Sequence, residues 1–128
     1  MFINNAKLEI LQGDAVPPYY RRIKVTGRAV PSQGDFDGNL SYKLQCSLYG
    51  DDYYFDNKVF TMSDVINTNS DNLVNSTGIL LTWQDDIYKE ILDEDWHDGD
   101  EIYGKINYVV SPLQTRGSVK TNVVHGNW

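Results

Sequence analysis

Arg22-Ile23-Lys24-Val25-Thr26-Gly27-Arg28-Ala29-Val30 alternates without a break. Ile23, Val25, Gly27 and Ala29 fall on one side, and basic or threonine side chains fall on the other. Period two marks a strand with one face in a core and one in water. Pro31 ends the run, because its ring removes the backbone donor a strand or helix would use. Residues 32–39 (SQGDFDGN) are dense in turn formers.

Working outward, a second long strand runs through Leu40, Tyr42, Leu44 and Leu48 to a stop at Gly50-Asp51-Asp52. Tyr53-Tyr54-Phe55 and Lys58-Val59-Phe60-Thr61-Met62 follow, and Asp56-Asn57 between them is read as a hairpin turn. Residues 63–78 are rich in Asn, Ser, Thr and Asp without a usable period, and are read as a long loop with one short strand or turn near Asn72-Leu73-Val74. Ile79-Leu80-Leu81-Thr82-Trp83 is an apolar strand with Trp83 in the core. Residues 85–95 suit a short helix or an irregular segment. Residues 102–110 and 117–124 are strands, and Lys7-Leu8-Glu9-Ile10-Leu11 is a short one near the start. Seven or eight strands with turn punctuation and almost no helix predict an all-β fold: a single antiparallel β-sandwich over residues 1–128, with a small β-barrel as the alternative.

Composition narrows the function classes. The 128 residues include nine Tyr, four Phe and three Trp, enough apolar bulk to offset the entropy of ordering one domain. No apolar run reaches the roughly 18–20 residues that span a bilayer, and the first ten residues lack the pattern of a secretory signal. Eleven basic residues against eighteen acidic ones give a net charge of −7, which disfavours nucleic acid as a partner. Cys46 is the only cysteine, so no intrachain disulfide forms. It is read as a small semi-buried hydrophobe, facing away from Leu44 and Leu48. No phosphate-cradling glycine loop or Gly-x-Ser-x-Gly elbow is present, and no carboxylate pair stands out, so the expectation is a non-catalytic protein.

Charge is placed unevenly. Nine of the eighteen acids fall within residues 85–101, against Lys89 as the one base. Carboxylates packed this closely repel, so the segment either stays solvated or recruits a cation, and Ca²⁺ suits flexible loop oxygens. A second acidic turn, Asp35-Phe36-Asp37-Gly38-Asn39, lacks the twelfth-position glutamate of a helix–loop–helix calcium hand. Arg22, Lys24 and Arg28 form a short positive stripe on one strand, read as an offset to acids elsewhere on the fold. Aromatics are in excess of what a small core needs. Adjacent strand residues face opposite ways, so Tyr53 or Tyr54 should point outward, and Trp96 sits within the acidic stretch. Tyr53, Tyr54 and Trp96 are therefore the candidate ligand-binding residues.

Two segments resemble the C-two module, a β-sandwich that binds calcium and phospholipid. Residues 22–44, with Asp35 and Asp37 between two strands, are similar to its first calcium loop and flanking strands. Residues 91–104, with Asp93-Glu94-Asp95 followed by Asp100, resemble its third loop. Leu40 stands where the family usually has an Asp. The resemblance implies a calcium site formed by Asp35, Asp37, Asp93, Asp95 and Asp100.

The leading expectation is thus a ligand-binding sandwich that uses acidic and aromatic loops at one end, with calcium as the candidate cofactor. Protein, carbohydrate and lipid headgroup all remain open as ligands. The alternative is a structural or assembly protein, a virion or secreted-complex component. It would make protein contacts through exposed aromatics and sheet edges, with homo-oligomerisation as one form.

Overall fold

The computed structural model describes residues 1–12, 16–30, 32, 40–51, 57–69, 78–92, 100–126 and 128. Seven strands follow one another: β1 (Phe2–Leu11), β2 (Tyr20–Val30), β3 (Ser41–Gly50), β4 (Asn57–Asn69), β5 (Ile79–Tyr88), β6 (Asp100–Ser111) and β7 (Thr115–Gly126). One 3₁₀ turn, Lys89–Ile91, follows β5. The strands form two antiparallel sheets, β1-β2-β5 and β4-β3-β6-β7, which pack face to face as a sandwich and do not close into a barrel. No helix among the described residues is long and apolar enough to cross a membrane.

The alternating stretch behaves as its pattern dictates. Ile23, Val25 and Ala29 are fully buried with Trp83 beside them on β5, and across the sandwich Leu44, Cys46, Leu48, Ile102 and Ile106 are fully buried too. Cys46 lies two residues from both Leu44 and Leu48, so it shares their inward face rather than opposing it. Burial pushes its thiol up to about 12, which leaves an inert core group.

Four expectations need correction. β4 does not stop at Met62 but continues through Asn69, where a loop was read. Asn57 already pairs with Gly50, so the chain reverses between those two residues rather than at Asp56-Asn57. β5 runs on to Tyr88, so residues 85–88 of the ambiguous segment are strand and Lys89–Ile91 form a helical turn, while residues 93–95 lie outside the described residues. β1 begins at Phe2, because an extra residue at Asn5-Ala6, with Asn5 in the left-handed region (φ 55), breaks the alternation that the sequence otherwise shows. Residues 72–74 lie outside the described residues.

Both lateral seams of the sandwich close where a strand bulges. On β4, residues 62–64 stand opposite Cys46 alone. The Ser63 N–H and hydroxyl thereby reach the Asp85 carboxylate (2.9 and 2.6 Å), and the Asp64 carbonyl accepts the Trp83 indole N–H (3.2 Å). On β7 an extra residue lies between Lys120 and Val123. There Thr121 accepts the Gly104 N–H (2.7 Å), and the Asn122 amide clasps β1, accepting the Leu8 N–H (2.8 Å) and donating to the Leu8 carbonyl (3.2 Å). The amide stands in for a ladder partner. Asn122→Ala is expected to lower stability by about 1–3 kcal/mol by stranding both Leu8 groups, and Asn122→Asp should fare no better, because it loses the donor. Urea melts would check this.

Candidate functional site

Strand directions decide which sequence-predicted residues can meet. Val25 packs against Gly104 and Gly27 against Ile106, so β2 and β6 run the same way across the sandwich. Pairing then sorts the strand ends. Val30 and Ile79 lie with Ser41, Asn69 and Ser111 at one end. Leu11, Tyr20 and Tyr88 lie with Gly50, Asn57 and Asp100 at the other, roughly 30 Å away for ten-residue strands.

Asp35 and Asp37 lie outside the described residues, in the connection that leaves β2 at Val30 and joins β3 at Ser41. Asp93, Asp95 and Trp96 are likewise outside them, between the 3₁₀ turn and β6, and Asp100 opens β6 opposite Gly126. Tyr53 and Tyr54, also outside the described residues, fall between β3 and β4. The strand ends flanking Tyr53, Tyr54, Asp93, Asp95, Trp96 and Asp100 therefore share one end of the sandwich. Those flanking Asp35 and Asp37 belong to the other. Among the described residues no three His, Cys, Asp or Glu side chains come together.

The first of these ends is also where exposed aromatics gather. Tyr19 is 67% exposed and Tyr88 is 53% exposed, with Leu11 close by in the pairing at 42%. Tyr20 and Tyr88 are cross-strand partners whose rings stack at 4.6 Å, and the hydrogen bond between their hydroxyls pushes the Tyr20 phenol up. The Lys89 ammonium sits 5.8 Å from the Tyr19 ring centre, so that ring already faces a cation. Pro17-Pro18 sets up the cluster: the Tyr20 N–H donates to the Pro17 carbonyl (2.9 Å), and the Lys89 N–H donates to the Tyr19 carbonyl (3.0 Å), tying the turn before β2 to the end of β5. No motif in the sequence places Tyr88 beside Tyr19 and Tyr20, since that contact depends on the β2–β5 register.

The outward faces of the two sheets treat their cations differently. On the three-stranded sheet, two residues of the basic stripe stand opposite carboxylates, Arg22 opposite Asp86 and Lys24 opposite Glu9. Arg22 grips Asp86 with two hydrogen bonds (2.9 and 3.1 Å), holding that carboxyl below its usual range, and Lys7 pairs with Glu9 at 2.9 Å. On the four-stranded sheet, the cross-strand rows place Lys58 beside Tyr49 and Tyr103, Lys105 directly opposite Lys120, and Lys43 in one row with Val109 and Arg116. Glu101, 3.4 Å from His125, and Asp51, which follows Gly50 in the register and donates its N–H to the Glu101 carbonyl (2.7 Å), are the described carboxylates at the end of this face. Tyr49 and Tyr103 stack at 5.5 Å; Lys105 lies 5.7 Å from the Tyr49 ring and Lys120 lies 4.0 Å from that of Tyr103. The resemblance to the C-two module rests on its two sequence segments alone. No protein family, no curated protein and no solved structure matches this chain.

Proposed function

We propose that the protein is a non-catalytic binding module that takes a protein partner at the end of the sandwich carrying Tyr19, Tyr20 and Tyr88. The observation that carries this reading is the exposure of Tyr19 and Tyr88 beside the stacked Tyr20 ring, at a strand end rather than over a core. Tyrosine supplies large, stiff contact area together with a polar tip, which is why such rings dominate protein contacts. The same end receives the acid-rich stretch 93–101 and the Tyr53-Tyr54 pair in sequence order. Tyrosine faces and carboxylates both favour cations, so the matching partner surface is basic and arginine- or lysine-rich.

A calcium site shared by Asp35, Asp37, Asp93, Asp95 and Asp100 is not part of this proposal, because the strands flanking the two acidic segments end on opposite sides of the molecule. Exposed sheet edges do not carry it either. β4 faces β5 and β7 faces β1 across seams stitched by Asp85, Trp83 and Asn122.

Titration with an arginine-rich peptide, followed by tyrosine and tryptophan fluorescence, tests the reading. Saturable binding is expected, weakened about tenfold or more in the Tyr19→Ser/Tyr88→Ser double variant, since losing two contact rings is worth at least about 1.4 kcal/mol. Binding unchanged in that variant would place the contact elsewhere.

A further inference from the structure

The outer face of the four-stranded sheet is out of balance with the rest of the molecule. Lys43, Lys58, Lys105, Arg116 and Lys120 against Asp51 and Glu101 give its cross-strand rows a charge of +3 in a chain of −7 overall. Lys105 and Lys120 are direct cross-strand partners, an arrangement that repels and that sheets ordinarily avoid or neutralise with a neighbouring carboxylate. The three-stranded sheet has that remedy in Asp86 and Glu9. The four-stranded sheet has none beside this pair among the described residues, and its two lysines lie over a stacked tyrosine pair instead. Cation–π contact holds the ammonium groups against the sheet without cancelling their charge.

We infer that this face is the docking surface for a second copy of the same chain, which enters with its acid-and-tyrosine end. Charge complementarity selects this occupant. A nucleic acid strand would have to approach a molecule of net −7, whereas a second copy brings the end that flanks the acid-rich stretch 93–100 to the basic face. The two contacting surfaces differ, so the contact is heterologous. Each copy then keeps one free face and one free end, and the association extends into chains or rings rather than stopping at a symmetric dimer. The inference rests on the binding reading given above and names its partner.

Sedimentation of the full chain tests it. At low salt the wild type is expected to associate progressively with concentration, and the association should disappear near about 0.5 M salt, where screening acts over a few ångströms. Lys105→Glu/Lys120→Glu and Tyr19→Ser/Tyr88→Ser are each expected to stay monomeric alone. Mixed together they should form dimers and go no further, because one supplies the only intact face and the other the only intact end. Lys105→Gln/Lys120→Gln serves where charge reversal harms folding, with the same expected behaviour. A wild type that remains monomeric at its highest soluble concentration in low salt, or a lysine variant that associates as the wild type does, overturns the inference. If arginine-peptide binding still depends on Tyr19 and Tyr88 in that case, the binding end stands and only the identity of its partner fails.

Discussion

Trp83→Ala should cost about 3–5 kcal/mol, a third or more of the roughly 5–15 kcal/mol that holds a domain of this kind together. Trp83 is fully buried on the inner face of β5, opposite Val25. Truncation removes the largest side chain in the core and leaves a cavity that two sheets, each held by its own hydrogen-bond ladder, can collapse only in part. A second loss is added at the seam. The indole N–H is the donor to the Asp64 carbonyl at the β4 bulge, so alanine also unpairs that oxygen. Trp83→Phe separates the two contributions. It keeps most of the ring but no donor, and is expected to retain more than half of the lost stability. Urea unfolding at constant m-value is the measurement.

Gly78→Ala is the second large effect, with an expected loss of about 3 kcal/mol or more. Gly78 precedes β5 with φ +73, in the left-handed region where a Cβ is costly. Space is denied as well. A Cβ there would run into the Ala29 carbonyl oxygen and come within 2.8 Å of the Ala29 carbonyl carbon and 3.1 Å of the Val30 Cα, all backbone atoms of β2 that cannot swing aside. The comparison with Gly78→Asn is informative. Asparagine tolerates the left-handed region better than alanine does, so dihedral strain alone would let it recover stability. Because the clash dominates, Gly78→Asn should be no more stable than Gly78→Ala in the same urea melts.

The fold was legible wherever a strand has one face in the core and one in water. Ile23, Val25 and Ala29 on β2, and Leu44 and Leu48 on β3, report their burial through period two alone. The second half of β4 was hidden for a physical reason. The bulge of three residues opposite Cys46 leaves Asp64 exposed at a position where the alternation of Met62 and Ile66 calls for an apolar residue, Thr68 fills the next inward position, and Asn67 and Asn69 are exposed. β1 was shortened in the reading by the same mechanism at Asn5.

The candidate surfaces were less legible. Acid runs are contiguous in sequence and catch the eye, but the ends they leave from depend on strand direction, which composition does not encode. The basic face has the opposite character. Lys43, Lys58, Lys105, Arg116 and Lys120 are scattered over nearly eighty positions and are gathered only by cross-strand register, so a net charge of −7 conceals them. Tyr88 joined Tyr20 for the same reason.

The central claim is that the strand ends flanking the two acidic segments lie at opposite ends of the sandwich. Spin labels on Ser32→Cys and Glu90→Cys measure it directly, since both positions are exposed and each flanks one of the two segments. Native Cys46 is fully buried with its thiol pushed up to about 12, and stays unlabelled in the folded protein. A dipolar distance centred near about 30 Å, the length of the intervening ten-residue strands, is expected. A distribution centred below about 20 Å would bring the two ends together and contradict the account.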